Sequence, residues 1–156
     1  MVILVLASGL GVGCAGETTT YYNRQFGYSV QMPKSWVVDE QPYQGIPGEH
    51  LQNAVLFGSE ESFPEDWVEV AVIPGKSASS AIIEQHLGLN TEYKVHEYGK
   101  DGYVLYVRVP SAGGWSNWIV VYYIEQDGFL YHIKFNEEGT QKKAYVSIDG
   151  YGKVNY

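Results

Sequence analysis

This sequence has almost no cysteine. Cys14 is the only one among its 156 residues. A single thiol cannot form an intramolecular disulfide, and it cannot supply the cluster of cysteines that holds a structural zinc ion. Cys14 closes an uncharged apolar run, residues 1–13, which ends in small residues. The role of Cys14 must therefore be sought together with that run.

Positive charge is also scarce. The chain has 10 lysines and arginines against 18 aspartates and glutamates, and its formal net charge is −8. Surfaces that bind nucleic acid need lysines and arginines to neutralise phosphates, and adhesion to anionic lipid needs a basic patch. We therefore expect no nucleic-acid partner, and we expect no membrane contact that depends on basic side chains.

The apolar run of residues 1–13 is short. As a helix it would reach about 20 Å, whereas the hydrocarbon core of a bilayer is about 30 Å thick. This length predicts a signal segment rather than a membrane span. Ordinary secretion and an unprocessed apolar end are the alternatives to the more specific interpretation that follows.

The segment Leu10–Gly16 (LGVGCAG) resembles a bacterial lipoprotein signal-peptidase site. In such a site the cysteine is acylated and becomes the mature N-terminus, although Leu10 lies four residues before Cys14 rather than three. The resemblance implies lipidation of Cys14, export, and tethering on the extracytoplasmic side of a membrane. We accordingly predict a signal in residues 1–14, a small polar tether in 15–20 and a single domain in 21–156.

Motifs of catalysis and metal binding are missing too. The sequence has no Gly-x-Ser-x-Gly elbow, no Ser-x-x-Lys and no pair of histidines with metal-ligand spacing. We interpret His132, on a strand with Lys134, as solvated or at a sheet edge, and His86 as partly buried on a helix. The acidic pairs do not alternate as in a dedicated calcium loop. We expect no enzyme activity, no metal and no cofactor.

Strand signals dominate what is present. Phe26, Tyr28, Val30 and Met32 alternate with small and polar residues, which predicts a half-buried strand that Pro33 ends. The chain then re-enters the core at Trp36. Further strands are predicted at 53–59 and 67–73, and two hairpins with Asp-Gly turns at 93–109 and 117–135.

Two helices are predicted to cover this sheet. Ser77 is placed as the cap of the first, which ends at Gly88. The second is expected within residues 138–148, with Ala144 and Ile148 facing inward. Hairpins without regular βαβ alternation predict an α+β fold, mainly an antiparallel sheet flanked by helices.

The N-terminal pattern resembles a known family. Tyr22-Asn23, Phe26-Gly27-Tyr28, Met32-Pro33 and Ser35-Trp36 are similar to the opening of PsbP-like proteins, relatives of an extrinsic, lumen-side subunit of photosystem II. The resemblance covers most of residues 21–148. It implies an α/β/α sandwich that binds or stabilises a larger assembly, with no catalytic residues to carry over. It also implies export, since small bacterial and archaeal members are often exported or lipid-anchored.

Two stretches are candidates for partner binding. Trp115 and Trp118 lie in the segment Gly113–Trp118, and Tyr43 and His50 lie in the proline- and glycine-rich loop 39–50. Exposed tryptophans anchor protein partners or stack on sugars, whereas the simpler interpretation is packing at a sheet edge or in the core. We expect a non-catalytic, complex-stabilising protein that binds a protein partner or envelope complex. The alternative is a module that binds cell-wall glycan or a small ligand.

Overall fold

The computed structural model describes residues 16–40, 53–59, 67–81, 92–100, 102–111, 114–135 and 143–154. In these ranges the chain forms eleven strands, and every neighbouring pair of strands is antiparallel. They are β1 (Thr18–Asn23), β2 (Tyr28–Pro33), β3 (Val37–Asp39), β4 (Val55–Gly58), β5 (Trp67–Pro74), β6 (Glu92–Glu97), β7 (Gly102–Ser111), β8 (Gly114–Gln126), β9 (Phe129–Phe135), β10 (Tyr145–Ile148) and β11 (Gly152–Val154).

The strands form two sheets that share one core. The smaller sheet has the order β1-β2-β10-β11, and the larger has the order β3-β4-β5-β9-β8-β7-β6. Buried side chains of both sheets form a single cluster, to which Val30 and Val146 contribute from the smaller sheet and Val70 and Ile133 from the larger. The inner faces of the two sheets therefore bury each other, as in a sandwich.

Strand β2 follows the predicted alternation. Tyr28, Val30 and Met32 are buried, whereas Gln31 between them is exposed. Pro33 is the last residue of the strand, and its carbonyl accepts a hydrogen bond of 3.0 Å from the N–H of Trp36. This tight turn returns the chain to the core at Trp36, as the sequence predicted.

The turn between β8 and β9 is the predicted Asp-Gly turn. Asp127 has a φ of 52° and Gly128 a φ of 81°. Left-handed backbone at both central residues defines the two-residue turn whose twist suits a hairpin. In the β6–β7 turn, where we predicted Asp101-Gly102, Asp101 lies outside the described residues, and among those described Gly99 is left-handed, with a φ of 64°. Gly102 is instead needed because a Cβ there would meet the Tyr123 carbonyl oxygen at 2.8 Å.

The prediction of an α+β fold with an α/β/α sandwich is wrong, because the structure is almost entirely antiparallel β-sheet. The clearest correction concerns the second helix, which we expected within residues 138–148; residues 138–142 lie outside the described residues, and 143–148 are not helical. Tyr145–Ile148 form β10, and Val146 lies opposite Val30 of β2. Ala144, Val146 and Ile148 are buried at every second position, which is the period of a strand.

The first predicted helix is seen only at its start. Residues 78–81 are helical, and the Ser77 hydroxyl oxygen accepts a hydrogen bond of 3.3 Å from the N–H of Ser80, as expected of a cap. Ala78 and Ala81 pack on the outer face of the larger sheet, against a second cluster that includes Leu105, Val121, Tyr123 and Leu130. The continuation to Gly88 lies outside the described residues.

Strand β1 begins at Thr18, inside the segment 15–20 in which we expected a tether. Residues 18–20 pair with β2 in the same register as the rest of β1. Glu17 and Lys34 flank this ladder with a salt bridge of 2.8 Å between exposed side chains. An exposed pair of this kind contributes at most about 1 kcal/mol, so backbone pairing is what fixes the start of the strand.

Candidate functional site

Among the described residues, strand β8 continues past its pairing with β9. Strand β8 is thirteen residues long, but its pairing with β9 begins only at Val120, opposite Phe135. Within the described ranges, residues 114–119 of β8 pair with β7 alone. We call this end of the hairpin, residues 108–111 and 114–118, the β7–β8 ribbon. Arg108 at its base also pairs with Glu92 of β6, and beyond this pair the described residues of β7 and β8 pair only with each other.

Both predicted tryptophans lie on the β7–β8 ribbon. Trp118 is opposite Arg108 and Trp115 is opposite Pro110. Between these two pairs β8 contains one residue more than β7, which is a β-bulge. Bulges bend a ribbon and increase its twist, and they are frequent next to functional sites. The backbone thus places Trp115 and Trp118 on either side of the bulge in β8.

The structure does not place the other predicted site residues at the β7–β8 ribbon. Cys14, Tyr43 and His50 lie outside the described residues. Of the four histidines, His96 is on β6, exposed, with its ring edge-on to Tyr106 at a centroid distance of 5.9 Å. Among the residues that are described, no three histidine, cysteine, aspartate or glutamate side chains lie close enough to hold a metal ion.

The prediction that His132 is solvated or at an edge is wrong. Its strand, β9, lies between β5 and β8 in the larger sheet, and His132 is only 1% exposed. The Glu69 side chain on β5 is equally buried, and its Oε1 lies 3.6 Å from Nδ1 of His132. Tyr123 on β8 is directly opposite His132, with 5.1 Å between the ring centroids.

This buried polar row crosses the outer face of the larger sheet. Burial raises the pKa of the Tyr123 hydroxyl, and the nearby Glu69 carboxylate raises it further. Tyr123 therefore stays a neutral phenol at physiological pH. Glu69 and His132 are almost completely excluded from solvent in this structure, so they are placed to contact neighbouring side chains rather than a substrate. Sequence reasoning missed the pair because its two residues come from strands far apart in the chain.

Two polar clefts lie at the other end of the larger sheet, near the β8–β9 turn. They measure about 510 Å³ and 290 Å³, and Glu125 lines both. The Glu125 carboxylate accepts a hydrogen bond from the N–H of Ala78, which fixes the start of the helical turn. Lys76 and Asp127 line one cleft, and Lys100 lines the other. Because each cleft is lined by side chains of both charges, neither cleft selects a ligand of one charge.

The two-sheet arrangement is similar to a solved structure. The solution structure of cyanobacterial PsbP (CyanoP) from Synechocystis sp. PCC 6803 superposes with a TM-score of 0.55, over 88% of this chain and 89% of that one, at 15% sequence identity. The chain has a PsbP-like fold. No family model matches the sequence, and no curated protein matches it either.

The PsbP-like fold confirms the resemblance predicted from the opening motif, and the structure shows what that motif does. The Phe26 ring packs edge-on against Phe129 of the larger sheet at 5.8 Å, and the Phe26 carbonyl accepts a hydrogen bond of 2.6 Å from the Tyr131 hydroxyl. Gly27 takes a left-handed φ of 62°. These residues join the two sheets, so the motif carries the fold and leaves function to other parts of the chain.

Proposed function

We propose that this chain is a non-catalytic accessory protein that binds a protein partner through the β7–β8 ribbon and thereby stabilises a larger complex. The observation that carries the proposal is the extension of β8 past the last residue of β9, at the point where Trp115 and Trp118 follow each other. The PsbP-like fold supports it, because the resemblance implies a protein that acts by assembly. Tyr43 and His50 are proposed as secondary contacts.

The physical argument concerns the second neighbouring strand that β8 lacks along the β7–β8 ribbon, where in the described part of the chain it pairs with β7 alone. An isolated hairpin is marginally stable in water, because only one neighbour supplies hydrogen bonds and packing. A partner that covers the ribbon would therefore stabilise its backbone as well as provide contact area. Tryptophan is enriched among the few interface residues that carry most of a binding free energy. Two tryptophans three residues apart on such a ribbon suit an anchor for another protein.

We expect alanine at Trp115 or Trp118 to abolish partner binding while the chain stays folded. Removing a tryptophan anchor from an interface costs 2 kcal/mol or more, which is about 30-fold in affinity. The measurement is affinity capture from solubilised membranes with quantification of the co-purified proteins, alongside chemical denaturation of each variant. Tyr22→Ala is the control, because Tyr22 is 69% exposed on β1 of the smaller sheet and should retain every partner.

Two results would contradict a partner-binding role for the β7–β8 ribbon. Unchanged capture by both tryptophan variants would show that the partner binds elsewhere. A loss of about 3–5 kcal/mol in unfolding free energy would instead assign the tryptophans to packing. Quenching or shifting of tryptophan fluorescence by soluble cell-wall glycan, with no protein captured, would favour a glycan-binding module.

We further propose that the chain is exported and lipid-anchored through Cys14. The apolar run before Cys14 and the small residues around it support this proposal. Among the residues that the structure describes, no helix is long and apolar enough to cross a membrane. We expect mass spectrometry of the native protein to find Cys14 at the mature N-terminus with an added acyl mass. A mature N-terminus at another residue, or an unmodified Cys14, would contradict the anchor.

A further inference from the structure

Strand β6 forms one edge of the larger sheet. In the described part of the chain it pairs with β7 alone, through six pairs from Glu92↔Arg108 to Glu97↔Tyr103. All five side chains of residues 93–97 are exposed, on both faces of the strand. Two of them are large and hydrophobic, because Tyr93 is 46% and Val95 40% exposed. Edge strands with exposed apolar side chains pair readily with further strands.

The turn that follows β6 shows which of its residues direct their backbone N–H and C=O groups toward β7 and which direct them outward; we call this alternation the hydrogen-bond phase of β6. The N–H of Tyr98 donates to the carbonyl of Gly102 at 2.9 Å, so the backbone N–H and C=O groups of Tyr98 point toward β7. In an antiparallel ladder such residues alternate with residues whose N–H and C=O point the opposite way. The backbone N–H and C=O groups of His96, two residues before Tyr98, therefore also point toward β7. The backbone groups of Val95 and Glu97 are directed away from the sheet, toward whatever lies beside the edge.

The other three edges are less suited to pairing. Strands β3 and β11 have three residues each, and short edges offer few hydrogen bonds to a neighbour. Strand β1 has six residues, as β6 does, but its sequence is TTTYYN and it carries no aliphatic side chain other than the threonine methyl groups. Only β6, among the edges of the two described sheets, combines this length with an exposed valine whose backbone points outward.

We propose that β6 is a homodimer interface, in which a second copy of the chain adds its own β6 antiparallel to the first. The twofold axis lies at Val95, which is opposite the partner's Val95, and the two valines exchange a pair of backbone hydrogen bonds. In this register Tyr93 is opposite the partner's Glu97 and Lys94 is opposite the partner's His96. The two larger sheets then form one continuous sheet.

Charge and apolar pairing favour this register over the two nearest registers in which the outward backbone groups of both strands can also bond. Moving the axis to Lys94 places two lysines directly opposite each other, and like charges in that position are destabilising. Moving it to His96 places Val95 opposite the partner's Glu97, which loses the apolar pair. The axis at Val95 avoids both, and it pairs five of the six residues of β6, 93–97, with the same five residues of the partner strand. A twofold contact between identical strands is also the commonest symmetry of protein oligomers.

Val95→Pro tests the interface. Proline removes the outward N–H and blocks pairing, but β6 does not use that N–H within the monomer, so an edge strand tolerates the change. Val95→Thr is the matched control, because threonine keeps both the N–H and the β-branched shape. In sedimentation equilibrium of the full chain we expect wild type and Val95→Thr to be dimers, and Val95→Pro to be a monomer of unchanged circular dichroism. A monomeric wild type, or a dimeric Val95→Pro, would overturn the proposal.

Cysteine cross-linking tests the register without a proline. In a Cys14→Ser background, Val95→Cys brings two thiols onto Cα atoms about 5.5 Å apart, which a disulfide spans. His96→Cys is the control, because the two Cα atoms are then about 8 Å apart, beyond disulfide reach. We expect air oxidation to convert the first variant to a covalent dimer and to leave the second as monomer. Equal cross-linking of both, or of neither, would overturn the register. The Trp115→Ala variant should dimerise normally, because the β7–β8 ribbon is separate from this contact.

Discussion

Replacing Trp36 with alanine should lower the free energy of unfolding by about 3–5 kcal/mol. Trp36 is only 7% exposed and belongs to the core cluster shared by the two sheets. Alanine leaves a cavity next to the turn that follows β2, while the backbone hydrogen bond from the N–H of residue 36 to Pro33 is retained. Because the main chain is undisturbed, the loss measures packing alone. Urea denaturation of the purified chain, followed by circular dichroism, gives the value.

The neighbouring residue provides the control for this measurement. Val37 is 43% exposed on the short edge strand β3, so Val37→Ala should change stability by no more than about 0.5 kcal/mol. Equal losses in the two variants would mean that the turn as a whole is sensitive. A loss below 1 kcal/mol for Trp36→Ala would show that the opening motif is not the core anchor that the structure indicates.

The sequence predicts most strands correctly because their alternation is local. In β2 and β9 large apolar residues recur at every second position and turn residues bound both ends, so period and length agree. The Asp127-Gly128 turn is equally local, since its two residues alone carry the left-handed backbone. Such features depend on a few consecutive residues, and no knowledge of distant parts of the chain is needed.

Residues 138–148 show where local reasoning fails. Ala144 and Ile148 are four apart, a spacing that fits one face of a helix as well as alternate positions of a strand. Val146 distinguishes the two structures, because it is completely buried and lies opposite Val30. The partner strand β2 is more than a hundred residues away in sequence. The alternation of Ala144, Val146 and Ile148 is compatible with a strand, but the tertiary pairing with β2 is what decides between strand and helix.

Glu69 and His132 show a second limit. The alternation places both on the face of their strands opposite the main core, and for His132 the sequence analysis predicts that this position is solvated or at an edge. The outer face carries its own apolar cluster, however, including Leu105, Val121 and Leu130. Leu130 is on the same side of β9 as His132, and this was the signal in the sequence that the face is covered.

The candidate site divides in the same way. The sequence indicated Trp115 and Trp118 from composition and neighbouring glycines, and the structure adds the β7–β8 ribbon on which they lie. The length of that ribbon could not be predicted, because it depends on where β9 stops pairing with β8, at Phe135. Which residues of β6 direct their backbone N–H and C=O groups outward is likewise indicated by a single hydrogen bond, from the N–H of Tyr98 to the carbonyl of Gly102.

Replacing Glu69 with leucine should cost about 1–3 kcal/mol, although leucine is apolar and similar in size. Removing one member of a buried polar pair leaves the other desolvated without its interaction, and this penalty exceeds the hydrophobic gain. The 3.6 Å separation of Glu69 Oε1 and His132 Nδ1 makes His132 the residue affected. Gln31→Leu is the control, because Gln31 is exposed on β2, away from both proposed interfaces, and its replacement should change stability by about 0.5 kcal/mol or less.

A double-mutant cycle decides whether Glu69 and His132 act as a pair. His132→Leu alone should also be strongly destabilising, since the Glu69 carboxyl then stays buried without the imidazole. The double variant with leucine at both positions should lose less than the sum of the single losses, by about 0.5–3 kcal/mol, because neither polar group is left without the other. Urea denaturation of the four proteins measures this difference. Losses that add within about 0.5 kcal/mol would show that the two side chains are neighbours without an interaction, each stabilised by its own surroundings.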